Sequence, residues 1–279
     1  MGQGLSLTEF NLYIAPYIPY GARGPNPNIS WHEIFNYILQ VLYTGIQWSA
    51  LPIRIDHITH KPVISHTRIH AHFMRLISAD GPIKMFINSV KQLNCAGFLD
   101  TSILHGDGTS TVAKSGGDNL GYNGHKHHKG DKVIAICDRN CNIIAPLIAA
   151  PGNASEMKLF PKSLKQLKRI AKLLDLPISG STMSLDGGYD SKHNRKLIFN
   201  AGMKPNIKEN SRNRKTTKRG RPRLYNEAIY DERFQTIERD FAWEDTFRRL
   251  VIRYERNSVV HYVFKVIAYM LINLRNLCK

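Results

Sequence analysis

The hydrophobic pattern of this 279-residue chain changes near residue 100, and that change limits the folds it can adopt. Up to that point apolar residues recur with helical spacing, over about 30–45, 67–78 and 82–94. Beyond it, three short β-prone runs come first, and helical and β-prone segments then alternate. This order is typical of a mixed-sheet α/β domain. We therefore expect a small helical N-terminal module over 1–100 and an α/β domain with flanking helices over 101–279.

Strands and helices of the second part can be placed from their boundaries. Five β-prone segments are expected to form strands, the last of them at a sheet edge: SILHGDG, KVIAICD, NIIAPLIAAPG, STMSLDGGYD and MKPNI. The turn DRNCN predicts a hairpin between the second and third. Pro161 is expected to begin the long helix after the hairpin, because proline is favoured at the first helical position. Residues 227–278 are expected to be helical.

The helical module carries local boundary signals. Ser30 and Glu33 form a capping-box pattern, and Gly45 is expected to end the helix that follows. A small helical module attached to a strongly basic chain favours DNA binding. The alternative is a helical layer that only supports the α/β domain.

Basic residues dominate the charge of the chain, with 39 Lys and Arg against 22 Asp and Glu. The net charge of +17 indicates a polyanionic partner, because basic groups that neutralise phosphates release counterions. Nucleic acid is favoured over a membrane, since no apolar run reaches the roughly 18 to 20 residues that span a bilayer. The segment 208–223 is expected to be a solvated basic loop, with Arg219 and Arg221 as candidate DNA contacts.

The N-terminal residues show no basic region followed by an apolar run, so no signal peptide is expected. The four cysteines are scattered through the chain, which is typical of reduced thiols. These features predict a cytoplasmic protein.

Two aspartates share one local pattern. Asp107 and Asp186 each end an apolar, β-prone run and are followed by glycine. Carboxylates at neighbouring strand ends can bridge hard divalent cations such as Mg²⁺. Glu238 is the best candidate for a third ligand, because Ile237 and Phe241 place it near the buried edge of its helix. For any one of these residues alone, a turn or a helix cap is the simpler interpretation.

Several segments, in this order, resemble the DDE-type transposases of bacterial insertion sequences, most closely the insertion-sequence-five group. They are WHEIFNYILQVLYTGIQWSALP, HGDGT, YNGHKHHKGDKVIAICDRNCNIIAPLIAAPGNASE, SLDGGYDS and IERDFAWEDTFRRLVIRYER. The resemblance implies a ribonuclease-H-like catalytic domain, dependence on Mg²⁺ or Mn²⁺ with two ions, and an association with the bacterial nucleoid. It assigns the metal ligands and catalytic residues to Asp107, Asp186 and Glu238.

The resemblance also indicates residues that position DNA. Tyr230 and Arg233 resemble the Tyr and Arg that precede the family's glutamate, although four residues separate Arg233 from Glu238 where the related pattern has three. The basic residue expected about seven positions after the glutamate is Asp245. Contact with the transposon-end DNA is therefore expected either to pass to two neighbouring arginines, Arg248 and Arg249, or to be weakened.

Further polar residues lie near the predicted site. His125, Lys126 and Lys129 are expected on a loop beside DNA phosphates, with plain surface exposure as the alternative. His105 shares a strand face with Asp107 and is equally consistent with a supporting or a core role. Zinc binding by the pair Cys137 and Cys141 is disfavoured, because no second ligand pair follows at zinc-finger spacing.

The sequence thus predicts a transposase that cleaves phosphodiester bonds at the ends of its element and transfers the 3′-hydroxyls into target DNA. Such proteins act as homodimers or larger assemblies on paired ends. Two alternatives are a non-catalytic DNA-binding relic or repressor, and a nuclease of the same fold that does not transpose.

Overall fold

The computed structural model describes residues 4–20, 29–210 and 223–278. Its N-terminal part contains four helices: α1 (Leu7–Tyr13), α2 (Trp31–Thr44), α3 (His66–Ser78) and α4 (Gly81–Cys95). The capping box at Ser30 and Glu33 is present, and Gly45 ends α2 in the left-handed conformation at φ 70°. The three helical segments expected between residues 30 and 95 are confirmed.

A seven-stranded mixed sheet forms the second part. Its strands are β1 (Ile103–Ala113), β2 (Gly121–Asn123), β3 (His128–Cys137), β4 (Ile148–Pro151), β5 (Thr182–Leu185), β6 (Lys204–Ile207) and β7 (Ile252–Arg253). The order is β2-β3-β1-β5-β6, with β4 paired to β3 and β7 to β1. β3 runs antiparallel to β1, whereas β5 and β6 continue the sheet in parallel. The expected mixed sheet with flanking helices is confirmed.

Six further helices accompany the sheet within the described residues: α5 (Glu156–Leu174), α6 (Lys192–Asn200), α7 (Glu227–Asp231), α8 (Ile237–Glu244), α9 (Arg248–Val251) and α10 (Ser258–Leu274). The N-terminal helices pack on the C-terminal ones, α2 against α9 and α4 against α10. Buried Asn273 of α10 donates to Ser89 Oγ of α4 at 3.1 Å and to the Ile143 carbonyl at 2.9 Å. One continuous core therefore joins the two predicted parts, and the division at residue 100 stays a prediction.

Two boundaries differ from expectation. Asp107 was expected at a strand end, but β1 continues to Ala113 because its second half pairs with β3. The expectation that the long helix begins at Pro161 is wrong, since α5 begins at Glu156. Pro161 has no N–H to donate to the Met157 carbonyl, and Asn194 Nδ2 donates to that oxygen instead at 3.1 Å.

Short β2 and β7 were not expected, and β7 interrupts a region predicted to be helical. Edge strand β6 and the expected pairing of β3 with β4 are present. Among the described residues, no helix is both long and apolar enough to cross a bilayer.

Candidate active site

Asp107 and Asp186 lie side by side where β5 ends against β1. The parallel pairing of these strands extends to His105 opposite Ser184, so each aspartate is two residues beyond the last pair. Asp107 Oδ1 accepts a hydrogen bond from Gly108 N at 2.8 Å. Asp186 caps the short turn after β5 by accepting from Gly188 N at 2.8 Å. The shared Asp-Gly pattern thus corresponds to one place in the sheet.

A third carboxylate at this place comes from Glu156, the first residue of α5. One oxygen each of Asp107, Glu156 and Asp186 lies within 4.8 Å of the other two. Lys132 Nζ on β3 donates to Glu156 Oε1 at 2.9 Å. Sequence reasoning missed Glu156, because placing α5 at Pro161 left this glutamate in a loop.

Glu238, the predicted third ligand, lies on α8 with 44% of its side chain exposed. Its expected position near the buried edge is wrong. Ile237 and Phe241 do face the core, but Glu238 is rotated by about 100° from Ile237, and the buried acids of α8 are Asp240 and Glu244.

Arg233 links Glu238 to the aspartates. Its Nη2 contacts Asp107 Oδ2 and lies 3.4 Å from Glu238 Oε1. Its Nη1 donates to Tyr230 Oη at 3.2 Å. The guanidinium and Lys208 Nζ each lie 5.3 Å from the centroid of the Tyr230 ring. The Tyr and Arg of the motif therefore form one unit beside the carboxylates.

Burial and the proximity of three carboxylates shift the pKa values of the groups at this site. Burial raises the pKa of Asp107 to about 7, with Asp186 and Glu156 adding to the rise and Arg233 opposing it. Burial also raises the pKa of Asp186. His105, fully buried two residues before Asp107, has its pKa lowered to about 4 by burial, and Arg233 acts in the same direction. The site therefore favours a neutral His105 and an added positive charge near Asp107.

The donor set suits a divalent cation. Carboxylate oxygens are the ligands that Mg²⁺ and Mn²⁺ prefer, and a cation would offset the charges of Asp186 and Glu156, which add to the rise that burial causes in the pKa of Asp107. Tyr189 packs beside the cluster, with its hydroxyl fully buried and without a hydrogen-bond partner in the described structure. Among the described residues, Asp107, Glu156 and Asp186 form the group of acidic, histidine or cysteine side chains that could hold a metal ion.

The predicted DNA-contacting residues are distributed unevenly. His125, Lys126 and Lys129 are exposed on or beside the turn that joins β2 to β3. Arg248 is exposed. Arg219 and Arg221, like most of the basic loop, lie outside the described residues.

Arg249 occupies a different environment from Arg248. Only 13% of its side chain is exposed, its Nη2 contacts Glu255 Oε1, and its Nη1 donates to the Ile46 carbonyl at 3.3 Å. Asp245, at the position of the expected basic residue, is exposed. Arg248 is thus the arginine of the pair whose side chain is open to solvent.

Cys137 and Cys141 are buried free thiols. Cys141 Sγ donates to the Gln235 carbonyl at 3.0 Å. No group of possible metal ligands among the described residues includes either cysteine.

Comparison with known proteins assigns most of the chain to a sequence family. A sequence model described as a transposase DDE domain matches residues 93–271, whereas no curated protein matches the chain significantly in sequence. Similar solved structures include the piggyBac transposase synaptic complex with hairpin DNA, at 10% identity and TM-score 0.46, covering 96% of this chain and 72% of that one. The catalytic domain of Mos1 mariner transposase follows at 11% identity and TM-score 0.30, covering 68% and 88%. The Mos1 mariner paired end complex with Mn has 9% identity and TM-score 0.31, covering 92% and 81%.

Proposed function

The chain belongs to the transposase DDE domain family, and on that premise we propose that it cleaves phosphodiester bonds at transposon ends and transfers the 3′-hydroxyls into target DNA. The observation that carries the proposal is the proximity of Asp107 to Asp186, where β5 ends against the middle of β1, beside Arg233. Buried Asp107, in contact with the Arg233 guanidinium, and half-buried Asp186 beside it form a site suited to a divalent metal ion and to phosphate chemistry.

We assign metal binding to Asp107, Asp186 and Glu238, with Mg²⁺ or Mn²⁺ as two ions. When bound, the ions would supply neutralisation of charge and activation of the attacking oxygen during in-line displacement at phosphorus. The chain's own contribution is positional. Arg233 contacts Asp107 and lies close to Glu238, and β1 and β5 keep the aspartates side by side.

DNA is the proposed partner, as both transposon ends and target, with the protein acting as a homodimer or larger assembly associated with the bacterial nucleoid. Tyr230 and Arg233 would position the backbone beside the carboxylates. Exposed His125, Lys126, Lys129 and Arg248 would contact phosphates farther out, and Arg219 and Arg221 would add to them.

The chemistry is tested by single replacements Asp107→Asn and Asp186→Asn in an assay with Mg²⁺ or Mn²⁺. The substrate is DNA that flanks the coding region, and the product scored is a 3′ end covalently joined to a second duplex. Both variants are expected to lose cleavage and joining. Asp80→Asn is the matched control, because Asp80 makes no side-chain capping bond and asparagine tolerates its left-handed backbone.

The two alternatives give different results in the same assay. A wild type that binds end DNA but never nicks it with either metal would be a DNA-binding relic or repressor. A wild type that cleaves without ever producing joined ends would be a nuclease.

DNA contact by the β2–β3 turn is tested separately. The double variant Lys126→Ala/Lys129→Ala is expected to weaken binding and to reduce the dependence of log affinity on log salt by about 0.9 for each lost phosphate contact. Lys91→Ala/Lys172→Ala, which removes two exposed helical lysines, is the control. Equal salt slopes in wild type and the turn variant would exclude the turn from the interface.

A further inference from the structure

We propose that Glu156 is a metal ligand of this site together with Asp107 and Asp186, and that the ion they bind is a hard divalent cation, Mg²⁺ or Mn²⁺. The inference rests on the proposed function only in taking the site to be a metal site. It adds a ligand to the three that the resemblance assigns, at the first residue of a helix that follows the antiparallel strands.

The first argument is distance. Glu156 contributes an oxygen within 4.8 Å of an oxygen of each aspartate, which is close enough for one ion to contact all three. Glu238 is not part of that group, and the Arg233 guanidinium joins it to Asp107. Glu156 is therefore the glutamate that lies with the two aspartates.

The second argument is how the chain holds Glu156 in place. Gly108, the residue after Asp107, leaves the space that this side chain fills: a Cβ at position 108 would lie 2.9 Å from Glu156 Oε1 and 3.0 Å from its Cδ. On the neighbouring strand β3, Lys132 has only 9% of its side chain exposed, and its Nζ donates to the same Glu156 Oε1 at 2.9 Å. A strand glycine and a buried lysine thus hold the carboxylate over the site.

The third argument is an unsatisfied polar group. The Tyr189 hydroxyl is fully buried and has no hydrogen-bond partner in the described structure. Asp107, Glu156 and Asp186 all lie within electrostatic range of this hydroxyl. A neutral hydroxyl beside three carboxylates can donate to an oxygen or a water around a bound ion, which is how outer residues orient metal ligands.

The test is a titration of the DNA-free protein with Mn²⁺, in which electron paramagnetic resonance measures the free ion at each step. Glu156→Gln is expected to weaken Mn²⁺ binding by about tenfold or more, and Glu156→Asp, which keeps the charge, by less. Glu227→Gln removes an exposed glutamate from the first turn of α7 and is expected to bind as wild type does. Circular dichroism of each variant in chelator identifies any loss of folding, and the Asp variant keeps the comparison valid if the Gln variant fails to fold.

The outcomes separate this inference from the proposed function. If Glu156→Gln and Glu156→Asp bind Mn²⁺ as tightly as the wild type, Glu156 is not a ligand, whatever the protein does to DNA. If Glu156→Gln loses Mn²⁺ while the wild type neither cleaves nor joins DNA, the ligand assignment stands and the transposase proposal fails.

Discussion

The guanidinium of Arg233 contacts Oδ2 of Asp107, although the two residues are 126 positions apart in the chain. Both side chains are largely buried, at 9% and 12% exposure. The contact joins the segment before α8 to the middle strand of the sheet and supplies the positive charge nearest to Asp107. The Arg233 charge lowers the pKa of Asp107, against the raising effects of burial and of the neighbouring carboxylates.

Replacing Arg233 by Gln is expected to lower the free energy of unfolding by about 3 kcal/mol in chelator, because it leaves a buried carboxylate without its cation. Urea denaturation measures the change. Arg139→Gln is the control: it removes an arginine with 46% exposure from a pair with Glu232 and is expected to cost at most about 1 kcal/mol. Equal losses in the two variants would contradict a special role for the buried contact.

Gly108→Ala is expected to reduce metal affinity with little effect on stability. The new methyl group would displace the Glu156 carboxylate, and its flexible end can move away, so we expect a stability change within about 1 kcal/mol. A displaced ligand is expected to weaken Mn²⁺ binding by about 10- to 100-fold. Gly124→Ala, where an added Cβ meets nothing within 4 Å, should change neither. Unaltered Mn²⁺ affinity in Gly108→Ala would count against the packing described for Glu156.

The start of α5 depends on Asn194, which donates to the Met157 carbonyl at 3.1 Å and to the Tyr189 carbonyl at 3.0 Å. Asn194→Ala leaves two carbonyls without this donor and is expected to cost about 1 to 3 kcal/mol by urea denaturation. Adding Pro161→Ala restores an N–H that can reach Met157, so the double variant is expected to recover part of the loss. Strictly additive effects of the two replacements would show that Pro161 and Asn194 do not share this carbonyl.

The features that could be predicted from the sequence are those with local causes. The capping box of Ser30 and Glu33 and the glycine that ends α2 depend on residues a few positions apart. The strand that ends just before Asp186 is similarly local. β2 and β7 have three and two residues and exist only through pairing with distant strands, so their own sequences carry little signal.

The candidate site divides in the same way. Asp107 and Asp186 were found from a repeated Asp-Gly pattern and a motif, and the register of β1 with β5 places them together. Glu156 depends on where α5 begins, and the proline six residues into the helix gave a misleading signal. Neither the Lys132 bond nor the space over Gly108 can be inferred before the strands are packed.

His261 provides a pH dependence that is separate from the metal site. Its ring is fully buried on α10, with Nε2 3.8 Å from Asp131 Oδ1 and Nδ1 3.8 Å from Glu255 Oε2. Burial lowers its pKa below the ordinary 6.5, with Lys265 acting in the same direction and the two carboxylates opposing the change. Arg253 and Arg249 already pair with these carboxylates. Their negative charge is therefore partly neutralised and stabilises a protonated imidazole less.

The sign of the effect follows from which state binds the proton first. As pH falls through about 6.5, the unfolded chain protonates this histidine while the folded protein resists, so the free energy of unfolding decreases until the lower folded pKa is reached. His261→Gln is expected to reduce that decrease, measured as the difference between urea unfolding at neutral and mildly acidic pH. His127→Gln, on the exposed β2–β3 turn, controls for loss of a histidine. A His261→Gln profile that is parallel to the wild type between these pH values would mean that the buried ring does not cause the dependence.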